Sequence, residues 1–335
     1  KGPGNLEVSV SLGAFSRNFG PQGTDFGYFG GGGPPAVATV DRVDYSNDTA
    51  TAVAKGSLSA ARYLLAATSS ASFGYFGGGT GPTSSTIDRI DYSNDTATAS
   101  AKGPLSESRY NLAATGNSNF GYFAGGAPGP YSTVDRVNYS NDTATALVRG
   151  PLTSGKNSIG ATGNANFGYF VGGSPGDKST VDRIDYSNDT AAAVAKGPLS
   201  DGRNPVSATG NADFGYINGD YPAKSIVDRI DYSNDTATAA VKGPLTVTVY
   251  GRGATGNSSF GYFGGGTGSP GPTIATVDRI DYSNDTATAV AKGPLSVARY
   301  ALAATSSRAN AILTENIINY AAGTLATPNT GYFAG

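Results

Sequence analysis

The sequence predicts an all-β fold, a closed β-propeller of four-stranded antiparallel blades, and three observations carry that prediction. A near-literal unit of about 47 residues recurs along the chain, each unit holds four short stretches of strand character, and no stretch shows helical periodicity. The string Asp-Arg-(Val/Ile)-(Asp/Asn)-Tyr-Ser-Asn-Asp-Thr-Ala starts at Asp41, Asp88, Asp135, Asp182, Asp228 and Asp278, at spacings of 47, 47, 47, 46 and 50 residues. A seventh, eroded copy is read at Ile318-Asn319-Tyr320 and Gly323-Thr324, as expected of an end copy in a repeat array.

The second copy shows the elements in order. Arg62 to Thr68 is an apolar run, and Phe73-Gly-Tyr-Phe-Gly77 is an aromatic stretch closing on glycine; these are strands one and two. Thr86 to Tyr92 mixes β-branched and charged residues as a half-buried strand does. Ser93-Asn94-Asp95 then offers side-chain oxygens to a tight turn, and Thr96 to Ala101 forms the fourth strand. Glu7 to Phe15 alternates Leu6, Val8, Val10 and Leu12 with polar residues, and is expected to supply the first strand of the first blade. With Arg299 to Thr305 and the eroded copy making a further blade at about 299–335, the count favours seven blades, six and eight remaining open, in one domain over 1–335.

Arg109-Tyr-Asn-Leu-Ala-Ala-Thr115, Gly121-Tyr-Phe-Ala-Gly-Gly126 and Val137-Asn-Tyr-Ser-Asn-Asp-Thr143 stand in the order and at the spacing of a kelch blade, and the chain resembles the kelch family over nearly its whole length. It departs where kelch blades carry Trp, which here is Ala52, Ala99, Ala146, Ala193, Ala239 and Ala289, so packing between blades is expected to be rebuilt from smaller groups. The wording Gly-Tyr-Phe-Gly-Gly-Gly with Asp-Tyr-Ser-Asn-Asp-Thr-Ala-Thr-Ala also resembles repeats of tail-fibre-like structural proteins of marine cyanophages. That resemblance implies a virion or extracellular location. The opening Lys1-Gly2-Pro3 recurs at mid-repeat and suggests a piece of a longer product.

Composition narrows the function classes. The 23 basic and 25 acidic residues are interspersed, which argues against a nucleic-acid partner. No apolar run approaches a membrane span, so no membrane insertion is expected. Cys, His, Met and Trp are absent, and with them the residues that copper-radical or sialidase-type propellers need. Seventeen of the 25 acids sit inside the repeated motif, and the rest form no catalytic pattern; neither an enzyme nor a cofactor is expected. Asp91 and Asp95 could be imagined on Ca²⁺, but a turn role explains them without metal. The Asn-Asp-Thr triplets, which match a glycosylation acceptor, are explained by the same turn. Arg42, Arg89, Arg136, Arg183, Arg229 and Arg279 are expected to pair with carboxylates of their own or the next blade.

The differences between copies point to function. The turns between strands one and two and between strands three and four barely vary, whereas the loops from strand two to three and from strand four to the next blade do. In an antiparallel blade the two variable joints emerge on one face, where loops on a rigid scaffold carry recognition. Tyr131, Lys156, Asp177, Lys178, Asp220, Tyr221, Lys224, Tyr250 and Arg252 are the candidate contacts. Two classes compete. One is a structural or attachment module of a virion fibre or extracellular appendage, which contacts other virion or surface proteins or a cell-surface glycan or receptor and is compatible with oligomers. The other is a secreted lectin-like propeller with a small ligand in its central channel.

Overall fold

The computed structural model describes residues 25–307. Strands β1 (Phe26–Gly30), β2 (Val40–Asp44) and β3 (Val53–Ala54) belong to blade I, and β4 (Ala66–Ser69), β5 (Phe73–Gly77), β6 (Ile87–Asp91) and β7 (Ser100–Lys102) form blade II. Blade III comprises β8 (Ala113–Gly116), β9 (Phe120–Ala124), β10 (Val134–Asn138) and β11 (Leu147–Val148), and blade IV β12 (Gly160–Gly163), β13 (Phe167–Val171), β14 (Val181–Asp185) and β15 (Val194–Lys196). Blade V holds β16 (Ser207–Gly210), β17 (Phe214–Asn218), β18 (Val227–Asp231) and β19 (Ala240–Lys242). Blade VI holds β20 (Gly253–Gly256), β21 (Phe260–Gly264), β22 (Val277–Asp281) and β23 (Val290–Lys292), after which β24 (Ala303–Ser306) crosses back to blade I.

The ring therefore has six blades, and the expectation of seven is corrected. The run from Arg299 to Thr305 does not begin a seventh blade: β24 pairs antiparallel with β1, from Gly27 opposite Ser306 to Gly30 opposite Ala303, and so becomes the innermost strand of blade I. This is the place assigned from the sequence to Glu7–Phe15. That segment and the eroded copy around Ile318 lie outside the described residues. Neighbouring innermost strands touch all the way round, β4 to β8 to β12 to β16 to β20 to β24 and back to β4, so no gap is left for another blade.

The apolar core is divided among six wedges, each filled from two adjacent blades. Between blades I and II, Tyr28, Val40 and Ala303 meet Phe76, Ile90 and Tyr92, and the same set recurs at every interface, including VI to I. The alanines at the Trp position are buried, but they do not fill the space. Stacked tyrosine pairs do, contrary to the expectation of smaller groups: Tyr28 lies on Tyr92 with centroids 4.9 Å apart, and Tyr262 lies on Tyr45 at 4.6 Å. Each pair joins strand two of one blade to the turn of the next, burying aromatic area on both sides of the seam.

On the variable-loop face a ring of backbone hydrogen bonds surrounds the channel mouth. Leu64 N donates to Ala301 O, Asn111 N to Leu64 O, Ser158 N to Asn111 O and Ala301 N to Gly251 O, at 2.7–2.8 Å. Leu64, Asn111, Ser158 and Ala301 reach this geometry with φ of 55–56°, a left-handed conformation that costs a side-chain-bearing residue about 1–2 kcal/mol. In each case the amide then bonds the neighbouring blade. Blade V departs, because Pro205 has no N–H and Val206 N donates to Ser158 O instead.

Candidate functional site

The repeated polar residues are used inside the scaffold. The last Asp of each Asp-Tyr-Ser-Asn-Asp turn faces the preceding blade and collects three partners there. Asp235 Oδ2 accepts from Tyr169 Oη at 2.9 Å and Arg183 Nη1 at 2.8 Å, while its Oδ1 lies 3.1 Å from Lys196 Nζ. Asp48 closes the ring in the same way, taking Tyr262, Arg279 and Lys292 of blade VI. Burial opposes ionisation of these two carboxyls, but the tyrosine, lysine and arginine contacts outweigh it and hold both below the usual carboxylate value. Each of the six arginines also lies over the first Phe of strand two, as Arg183 does over Phe167 at 4.2 Å.

The first Asp of the turn has a different task. Asp91 Oδ1 accepts from Ser93 N at 2.9 Å and Ser93 Oγ at 2.6 Å, capping a short 3₁₀ turn, while Asp95 faces Tyr28, Arg42 and Lys55. The two carboxylates imagined on Ca²⁺ thus belong to separate networks.

A second buried lattice lies within each blade. Arg109 and Asp135, both with side chains 0% exposed, are 2.6 Å apart, and Arg109 Nη1 also donates to Gly125 O and Thr133 O. The equivalent pairs are Arg62–Asp88, Lys156–Asp182, Arg203–Asp228, Arg252–Asp278 and Arg299–Asp41.

This lattice removes two of the nine candidate contacts. Lys156 and Arg252 sit on the variable segments but point inward, Lys156 Nζ 2.9 Å from Asp182 and Arg252 Nη1 3.1 Å from Asp278. Burial and ion pairing, rather than a ligand, account for both. Arg252 stands three residues later than its counterparts, in the place that Leu112 holds on blade III, with Val249 where they carry the cation, yet it recovers the same partner. Asp220 is buried as well, with Oδ1 accepting from Tyr221 N and Asn204 N and Oδ2 2.7 Å from Lys224 Nζ.

The remaining candidates reach the surface. Asp177 is exposed, and Tyr131 and Lys178 are half-buried, on the loops of blades III and IV. Tyr221, Lys224 and Tyr250 are brought together on blades V and VI. Tyr221 is 55% exposed and meets Tyr250 edge to face at 5.3 Å; Tyr250 in turn meets Tyr300 edge to face at 6.2 Å. Partial burial, together with its two tyrosine neighbours, raises the Tyr250 hydroxyl above its usual pKa. Lys224 lies between Asp220 and Asp201, whose Oδ2 is 2.9 Å from Nζ, and hydrogen bonds to both carboxylates raise the ammonium's pKa and lower that of Asp201.

Three members of this cluster were missed in the sequence. Tyr300 follows the cation of strand one, a place also held by Tyr63 and Tyr110, so it reads as part of the repeat. Asp201 is one of the few acids outside the motif, and that isolation was its signal. Asn218 stands where the other blades carry Gly, Ala or Val at the end of strand two. It is 1% exposed, donates to Lys224 O and Ile226 O, and leaves Oδ1 without a protein partner.

The central channel is uniform by contrast. Every innermost strand carries the same Ala-Thr pair, from Ala67-Thr68 round to Ala304-Thr305, with Ser or Gly at the end away from the variable loops. Among the described residues no charged side chain lines that end, which is built of small neutral groups repeated about the axis. No protein-family description matches the chain, and no curated protein is detectably similar to it.

Proposed function

We propose that this propeller is a non-enzymatic structural and binding module of a virion fibre or extracellular appendage, attaching through its variable-loop face to a surface protein or cell-surface glycan. The observation that supports this reading most directly is where variation is allowed. Motif residues that recur in every copy are committed to contacts between or within blades, while most of the aromatic and charged side chains that differ and reach solvent gather where strands two and three, and four and one, are joined. A rigid ring with one diversified face is suited to presenting contacts at little entropic cost on binding. The uniform channel wall offers no comparable individuality, which favours the face over the channel. The finer resemblances, to kelch blades and to cyanophage fibre repeats, point the same way.

The test is cosedimentation of the fluorescently labelled full chain with intact cells from the source culture. Substituting Tyr131, Lys178 and Tyr221 together by Ser should abolish sedimentation, whereas Ser substitutions at Asn47, Asn94 and Asn141 on the opposite turns should not. Sedimentation that survives the loop-face changes, or none for the unaltered chain, would overturn the reading.

A further inference from the structure

The loop face is not uniformly equipped. Blade V concentrates departures from the repeat: Asn218 at the end of strand two, the Asp220–Lys224 pair within the loop, and Asp201 from the incoming connection, a position that is acidic elsewhere only in blade III, as Glu107, among the described residues. Beside them the rings of Tyr221, Tyr250 and Tyr300 meet edge to face, so each contact covers at most one face of one ring, and Tyr221 is left 55% exposed. We propose that this patch is a saccharide subsite that takes a neutral pyranose; the inference rests on the loop face being the attachment face.

The chemistry argues for a sugar in four steps. An aromatic ring face packs against the C–H face of a pyranose, and Tyr221 is the large aromatic most open to solvent among the described residues. Lys224 is fixed between two carboxylates, and the exposed Asp201 keeps acceptor capacity beyond its bonds to Lys224 and Gly202 N, so donor and acceptor stand side by side as vicinal hydroxyls require. The charges nearly cancel, one ammonium against two carboxylates with Lys178 and Asp177 on the next loop, which gives no pull on a strongly charged ligand. Asn218, buried under the same loop with an unpartnered oxygen, is a polar group placed at some cost where the scaffold elsewhere uses Gly, Ala or Val.

A protein partner fits this patch less well. A stable protein interface needs about 800 Å² on each side with an apolar centre. The exposed large aliphatics are mostly on the outermost strands, such as Val53, Leu147, Val148, Val194, Val241 and Val290, away from the patch.

The experiment is saturation-transfer NMR on the full chain with glucose, galactose, mannose and N-acetylglucosamine as probes, comparing unaltered protein with Tyr221→Ala, Asp201→Asn and, as control, Tyr131→Ala on blade III. Tyr221 and Asp201 are solvent-exposed, so both variants should fold, which circular dichroism verifies. Transfer to the ring protons of at least one sugar is expected, reduced about 2- to 13-fold in Tyr221→Ala, the range that a stacking contact of about 0.5–1.5 kcal/mol implies. Asp201→Asn should weaken transfer, and Tyr131→Ala should not. Absence of transfer to the unaltered chain, or equal transfer in Tyr221→Ala, overturns the subsite. Cosedimentation separates this from the broader reading: cell binding that depends on the loop face without sugar transfer sinks the saccharide subsite alone, and sugar transfer without loop-dependent cell binding sinks the attachment role alone.

Discussion

Replacing Arg109 by Leu tests whether the buried cation within each blade holds the sheet together. Its guanidinium ties three elements at once: Asp135 on β10 at 2.6 Å, Gly125 O just after β9 at 2.7 Å, and Thr133 O just before β10 at 3.1 Å. Leucine fills part of the volume but leaves Asp135, 0% exposed, dependent on the backbone amide of Ser106, and strands two and three lose their common clamp. Removing one partner of a buried ion pair costs about 3–5 kcal/mol, because the remaining charge stays desolvated without compensation. At an m value of about 3 kcal/mol/M, that range lowers the urea midpoint by about 1–1.7 M. The assay is equilibrium urea unfolding followed by tyrosine fluorescence. The double variant Arg109→Leu/Asp135→Asn should recover part of the loss, since the uncompensated charge goes with the second substitution. A shift under about 0.3 M for Arg109→Leu, equivalent to about 1 kcal/mol at the same m value, would refute the reasoning and make the lattice incidental.

Three further outcomes follow from the same geometry. Lys156 is the one lysine among the six buried cations, the others being arginine, and burial lowers its pKa despite Asp182; Lys156→Arg should create the carbonyl contacts seen for Arg109 and raise stability by about 0.5–2 kcal/mol, read as a higher urea midpoint. Gly197 leaves no room for a Cβ against the Ala237 carbonyl of the next blade, so Gly197→Ala should cost about 1–3 kcal/mol by forcing blades IV and V apart, measured in the same way. Stability should also fall at both pH extremes. Asp48, Asp235 and Asp285 have folded pKa values below the unfolded one, so their contribution is present above about pH 4 and drains away as pH falls further. Tyr28, Tyr75, Tyr122, Tyr169, Tyr216 and Tyr262 have folded values raised by burial and then by their Asp partners, so stability is lost as pH climbs above about 10. The part of the tyrosinate absorbance that these six residues contribute should therefore rise together with unfolding, not before it.

Blade architecture was legible because each strand signal is local: aromatic alternation for strand two, β-branched residues around Asp-Arg for strand three, and an Asx-rich turn before strand four. The blade count was misread for a reason that is also physical. A propeller repeat can be cut anywhere around the circle, and this chain is cut between strands one and two. Six strand-one segments, beginning near Arg62, Arg109, Lys156, Arg203, Val249 and Arg299, match six copies of strands two to four, and tallying the two sets separately gives six. The site was legible only as a face. Lys156 and Arg252 could not be told from surface cations because inward orientation depends on an Asp about 26 residues away across two turns. The Tyr221–Tyr250–Tyr300 cluster joins residues of three different segments, a proximity that no spacing announces.

The sameness of the copies follows from the way each motif residue answers to two blades. Tyr169 and Arg183 belong to blade IV but meet Asp235 and Tyr232 of blade V, and Gly197 touches the Ala237 carbonyl. A change at any of these positions therefore strands a partner in the adjoining copy, and with six copies in a closed ring every blade is constrained from both sides. Drift is then tolerated where a residue answers to no neighbour, at the loops between strands two and three and the links between blades. Those stretches are where Asp177, Tyr221 and Lys224 are found. The coupling that keeps the interior repetitive thus leaves individuality to the aliphatic outer strands and to one loop-bearing face, and of the two only the face brings aromatic and charged side chains together.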